Sequence, residues 1–221
     1  MAIKERRRGD IPEPALGRLH RYQLALRRLR REKKLLVASA RLGELAGVSA
    51  ALVRRDLSCV GALGQRGVGY EVEWLLAQLQ RALQPPAPCP LVIIGAGNLG
   101  AALAGYASFD LQEYQVVGVF DSNPARVGHR LQGMVIRHMR ELPEVVQATG
   151  VELGLLAVPA AQAAAGAELC AAAGLRGLLN LAPLPLRTSA PLVVRQVDLT
   201  EELQILNYQV SCARDRKRGE G

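Results

Sequence analysis

From residue 15 to residue 35 leucines recur among arginines and lysines. Leu16, Leu19, Leu24, Leu26, Leu29 and Leu35 fall on a partly periodic face, which predicts a helix over residues 15–34 with a basic opposite side. The segment "ARLGELA", about 40–46, predicts a second helix, and Gly47 can end it in a left-handed turn. Ser49 is placed to cap a third helix, "AALVRRDLS". Helix, short glycine turn, helix is the helix-turn-helix pattern. The next stretch, "GALGQRGVGYEV", spaces four glycines through twelve residues and suits a β-hairpin, the wing of a winged helix.

Beyond residue 90 the pattern changes to short apolar runs separated by helical ones. "LVIIG", "YQVVGVFD", "MVIRH" and "LGLLAVP" predict strands, and the alanine-rich "AAQAAAGAELCAAAG" predicts a helix leading to "LRGLLNLAP". Alternation of this kind implies a parallel sheet with helices on both faces, the α/β class. Between the two regions lies "QPPAPCP", residues 84–90, with four prolines in seven positions, which disfavour helix. The expected organisation is a winged-helix domain over 1–83, a linker over 84–90 and a Rossmann-like domain over 91–198. A helix over 199–212 and a charged tail over 213–221 follow.

Charge sharpens this division. Of the 28 Lys and Arg in the 221 residues, 17 lie in residues 1–83 against 8 Asp and Glu, while 84–221 is nearly balanced. A basic domain beside a neutral one points to a polyanion partner for the first only. Hydrophobic residues at 49% and charged residues at 22% are ordinary globular composition. No apolar run approaches the roughly 20 residues of a bilayer span, and the start, "MAIKERRRGD", lacks the apolar core of a secretion signal. Cys59, Cys89, Cys170 and Cys212 are single and not spaced with histidines as a zinc site, so reduced thiols, no metal and a cytoplasmic address are expected.

In "LVIIGAGNLGAALAGY" Gly95, Gly97 and Gly100 follow a strand and open a helix. In a dinucleotide loop Gly95 permits the tight turn, Gly97 lets backbone N–H groups approach a pyrophosphate, and Gly100 lets helix and strand pack closely. The loop atoms of Ala96, Asn98 and Leu99 would face the phosphates at the helix N-terminus. Asp121, 21 residues after Gly100, ends the next strand, where a carboxylate receives ribose hydroxyls and disfavours a 2′-phosphate. NAD(H) is therefore expected over NADP(H), although Arg126 on the next turn can soften that preference. S-adenosylmethionine enzymes use a similar loop. No catalytic set is evident. His129 and His138 lack an orienting carboxylate, lysine is absent between residues 35 and 216, and Tyr106, Tyr114 and Tyr208 lack a Y-x-x-x-K context.

The third helix of a helix-turn-helix enters the major groove. Arg54 and Arg55 on it are candidates for guanine or phosphate contacts, with Ser49 at its start and Asp56 positioned to orient or pair with the arginines. Gln65, Arg66 and Gly67 form the expected wing tip, suited to a minor groove.

With these residues assembled, the chain resembles the Rex family of redox-sensing transcriptional repressors over roughly residues 11–210. The resemblance rests on "IPEPALGRLHRY", "VRRDLSCVGALGQRGVGY", "VIIGAGNLGAALAGY", "LLAVPAAQAAA", "GLRGLLNLAP" and "VDLTEELQIL". It implies a homodimer that binds palindromic operator DNA when NADH is scarce and releases it when NADH accumulates. It implies a C-terminal helix exchanged between subunits, about residues 199–210, for which Thr200 is a possible cap and Leu203, Leu206 and Val210 an apolar stripe. It also implies cofactor contacts at Val158, Pro159 and Asn180 and an interdomain polar switch involving Tyr106 and Asp198. Four positions depart from the pattern. Cys59 and Val60 replace two aromatics, Leu181 replaces another, and Leu24 stands where the family carries the switch arginine. The alternatives are a switch rewired through Arg21 or Arg27 and a switch that is weakened. The rival readings are an NAD-dependent oxidoreductase with a basic appendage and a nucleotide-binding scaffold without regulation.

Overall fold

A computed structural model of the chain describes residues 11–65, 67–83, 88–106 and 114–219, the last five of them by backbone alone. The chain divides into two compact units, Met1–Pro86 and Ala87–Gly221.

The first unit is built on helix α1 (Glu13–Arg31). Pro14 suits its first turn, and Arg28, Arg30 and Arg31 complement the dipole in its last. The buried face is Ala15, Leu19, Tyr22, Ala25, Leu26 and Leu29, a true three-and-four spacing. Leu16, Leu24 and Leu35, which the leucine pattern places on that face, are exposed, because Tyr22 and Ala25 take the positions the period requires. Strand β1 (Leu36–Val37) leads to α2 (Ser39–Ala46) and α3 (Ala50–Cys59). Gly47 closes α2 at φ 69°, and Ser49 Oγ accepts the Leu52 N–H at 3.3 Å, so both punctuation residues act as their chemistry predicts. The glycine-rich stretch is a tight turn in which the Gln65 and Gly69 N–H groups each donate to the other's carbonyl at 2.9 Å. Strand β2 (Tyr70–Glu71) then pairs antiparallel with β1 rather than within a long hairpin. Helix α4 (Val72–Leu83) completes the core with Val72, Leu75, Leu76 and Leu79.

Among the described residues the second unit holds a seven-stranded sheet in the order β5-β6-β4-β3-β7-β8-β9. These are β3 (Cys89–Ile94), β4 (Tyr114–Asp121), β5 (Arg130–Leu131), β6 (Met134–His138), β7 (Leu153–Leu156), β8 (Gly177–Asn180) and β9 (Val193–Gln196). All neighbours are parallel except β5 and β6. Side chains of β3 alternate between two cores. Val92 and Ile94 pack with Phe120, Leu142 of α6 (Leu142–Thr149) and Ala163 of α7 (Ala160–Ala172). Leu91 and Ile93 pack on the other face with Val119 and with Leu103 of α5 (Asn98–Ala104). The chain leaves β3 for β4 on one side and later returns for β7 on the other. The carboxyl end of β3 is therefore the topological switch point, where ligands bind in open parallel sheets.

Helix α8 (Leu199–Gly219) ends the chain and runs beyond residue 212 into the basic tail. Its cap is Asp198, not Thr200. Asp198 Oδ1 accepts the N–H groups of Thr200 at 2.8 Å and Glu201 at 3.4 Å, because the helix starts one residue before Thr200. Leu203, Leu206, Tyr208 and Val210 are all exposed. No described helix is long and apolar enough to cross a membrane, and no described cluster of three His, Cys, Asp or Glu could hold a metal.

Candidate functional site: a dinucleotide crevice and a nucleic-acid face

At the carboxyl ends of β3, β4 and β7 a cavity of about 500 Å³ opens, within the range of small-molecule sites. Gly95, Gly97, Asn98 and Leu99 line it from the glycine loop, Asp121 from β4, and Val158 and Pro159 from the turn after β7. Gly100 lies behind the loop, wholly within the packing. A Cβ there would fall 1.8 Å from the Gly95 carbonyl oxygen, so no side chain fits where α5 crosses β3. At Gly97 the space is open, and the nearest atom to an added Cβ is Arg126 Nη1 at 4.0 Å. That opening is the room a ligand's phosphates need, and Gly97 is also the N-cap of α5.

Asp121 is buried and holds three donors. Oδ1 accepts the Asn123 N–H at 2.8 Å, and Oδ2 accepts the Ala96 N–H at 2.8 Å and Arg126 Nη1 at 3.1 Å. Burial raises its pKa, but the Asn123 and Ala96 N–H groups and the Arg126 guanidinium outweigh it and hold the carboxyl below its ordinary value. It is therefore charged at neutral pH. The Ala96 N–H points at this carboxylate. Asn180 is fully buried and does not line the cavity. Its Nδ2 donates to the Leu184 carbonyl at 2.8 Å and to Gln196 Oε1, while Oδ1 accepts the Ala182 N–H at 3.0 Å. The amide is used in locking the chain after β8 to β9. Tyr106 follows α5 and is half exposed, and Asp198 caps α8; neither lines the cavity. The cavity also takes in Ser122, Arg126, Met139 and Gln162, of which sequence reading singled out only Arg126. The others sit just after β4 and β6 and early in α7, positions that no local pattern marks.

In the first unit α3 presents Arg54 and Arg55 to solvent. Arg54 Nη1 donates to Ser39 Oγ at 3.0 Å, which ties α3 to the start of α2. Ser49 serves as the cap, Gln65 and Gly67 lie in the turn, and Arg66 falls outside the described residues. Asp56 does not pair with Arg54 or Arg55. It follows Val53 by three residues and precedes Leu57, so it shares their buried side and is 2% exposed. Arg18 grips it through Nε at 2.7 Å and Nη2 at 2.8 Å, and the Tyr22 hydroxyl donates to it at 2.9 Å. Burial raises the Asp56 pKa, yet the hydrogen bonds from Arg18 and Tyr22 and the guanidinium charge bring it below the ordinary carboxylate value. Burial and the bond to Asp56 push the Tyr22 hydroxyl up, so it stays a donor. A carboxylate on the apolar side of a helix always needs such partners, and that rule was the available signal.

Two family models match the chain: "Putative DNA-binding protein N-terminus" over residues 10–58 and "CoA binding domain" over 88–184. The redox-sensing transcriptional repressor Rex of Streptomyces avermitilis is 40% identical over 210 residues, covering 95% of this chain and 82% of that protein. Rex 1 of Thermotoga maritima is 37% identical, covering 90% and 96%. The crystal structure of RSP, a Rex-family repressor, aligns at a TM-score of 0.84 and 27% identity over 96% of this chain and 99% of that one. RSP in complex with β-NAD+ and operator DNA aligns at 0.84 and 29% identity, over 96% and 97%. A helix-turn-helix unit joined to a dinucleotide-fold unit is a ligand-responsive transcription regulator. The chain belongs to the Rex family of redox-sensing transcriptional repressors, and members of that family are repressors rather than enzymes.

Proposed function

We propose that the protein holds an inverted-repeat operator as a homodimer when NADH is scarce and lets it go when NADH binds, working in the cytoplasm as a reporter of the NADH/NAD+ ratio. The observation that carries this reading is the crevice at the β3 switch point, rimmed by the open Gly97 position and the charged Asp121, in a chain that also bears a helix-turn-helix. Gly95, Gly97, Asn98 and Leu99 would hold the pyrophosphate and Asp121 a ribose hydroxyl, with Val158 and Pro159 on the opposite wall. Ala96 and Asn180 would support these contacts indirectly, by fixing Asp121 and the chain after β8.

A ligand shifts a two-state equilibrium only by its differential affinity for the states. NADH must then favour a dimer whose recognition helices are no longer spaced by about 34 Å or its multiples, the separation that lets both enter one face of the duplex. Tyr106 and Asp198 are the proposed lock. Leu24, exposed on α1, brings no charge where the resemblance implies an arginine.

The direct test is a gel-shift titration of an inverted-repeat operator at fixed salt. NADH should release the DNA at concentrations where NAD+ does not, and occupancy indifferent to both removes the redox reading. The logarithm of the affinity should fall linearly with the logarithm of salt, each neutralised phosphate adding about −0.9 to the slope. Arg54→Ala should weaken operator binding by about tenfold. A flat salt curve or an unaffected Arg54→Ala variant would move the DNA face elsewhere.

A further inference from the structure

Resting on the reading of the cavity as a dinucleotide site, the geometry around Asp121 bears on which dinucleotide it takes. A carboxylate offers roughly four acceptor positions. On Asp121 the Asn123 and Ala96 N–H groups and Arg126 Nη1 hold three of them. One is left for a ribose hydroxyl, so the carboxylate can favour a 2′-OH through a single hydrogen bond. The two backbone donors fix the carboxylate without help from Arg126. The Arg126 side chain is 47% exposed against 7% for Asp121, so it sits over the carboxylate at the mouth of the cavity. Its guanidinium has donors beyond the one spent on Asp121, in a fork suited to phosphate. The ribose end thus carries a paired charge of each sign rather than a bare negative one.

We infer that Arg126 is a specificity-determining residue that lessens the discrimination against a 2′-phosphorylated dinucleotide, by screening Asp121 and offering a guanidinium to the phosphate. Without it the carboxylate regains its full repulsion and a second free acceptor position for the ribose diol. Both changes favour NADH over NADPH.

The experiment titrates the purified full chain with NADH and with NADPH, reading ligand fluorescence, for the wild type, Arg126→Ala and Arg126→Lys. The ratio Kd(NADPH)/Kd(NADH) should rise by at least about tenfold in Arg126→Ala, the value of one charge-assisted hydrogen bond. Arg126→Lys keeps the charge and should fall between the two. The ratio is independent of any common change in affinity, and retained NADH binding by each variant confirms that the second unit is folded. A ratio that stays put or drops in Arg126→Ala while NADH still binds overturns the inference, as does a wild type that shows no NADPH binding at all. A wild type that fails to bind NADH instead overturns the cofactor reading, and the inference with it.

Discussion

Asp56→Ala should unfold the first unit under conditions where the second remains intact. The substitution leaves the half-buried Arg18 guanidinium without its counter-charge, and it removes the acceptor of the Tyr22 hydroxyl. Asp56 is buried while Arg18 keeps some access to water, so the loss falls short of that for a wholly buried pair, about 2–3 kcal/mol, still a large share of the stability of a small domain. Trp74 is the chain's single tryptophan and packs against the core of the first unit, so its fluorescence in a urea titration reports that unit alone. The midpoint should fall by several tenths of its value or more, and operator binding should be lost. Asp56 also gives this unit an acid limit. Its folded pKa lies below the unfolded value of about 3.9, so its contribution is complete above about pH 5. That contribution is lost as pH falls through the lower folded value. An unchanged Trp74 midpoint in Asp56→Ala would show that the network is ornamental.

Gly97→Asp should separate the two halves of the function. Gly97 has φ −73° and ψ −171°, ordinary extended backbone, and an added Cβ meets nothing closer than 4.0 Å. Aspartate is also a favoured N-cap, so α5 should be as stable as before or slightly more so. The new carboxylate would stand where a pyrophosphate approaches. Losing even two charge-assisted hydrogen bonds costs roughly 3 kcal/mol, over a hundredfold in affinity. The variant should bind operator normally and ignore NADH in the gel shift. Release by NADH at wild-type concentrations would place the nucleotide elsewhere. An accompanying drop in thermal stability would show instead that the loop tolerates no side chain.

Much of this was legible because it is local. Gly47 and Ser49 act within four residues of themselves, and strand, glycine loop, helix and Asp121 follow one another along the chain. The pairing of Asp56 with Arg18 spans 38 residues, and no periodicity reports a partner at that distance. The two-residue strands Leu36–Val37 and Tyr70–Glu71 are too short for alternation to show, so the wing looked like a self-contained hairpin. Asn180 illustrates a different limit. Its place at the end of a strand is readable, but only tertiary structure reveals that Leu184, Gln196 and Ala182 occupy its amide. The cap of α8 is Asp198 rather than Thr200: both residue types cap helices, Asp the better, and they lie only two positions apart.

Helix α8 leaves Leu203, Leu206 and Val210 in water. In the proposed homodimer a second chain would cover them, and the folded state would then gain free energy by mass action. Dilution would weaken the protein without any change in its sequence. The amount of repressor a cell keeps would thereby enter its own thermodynamics: a scarce copy would be a less durable one, and the sensor's lifetime would follow its abundance.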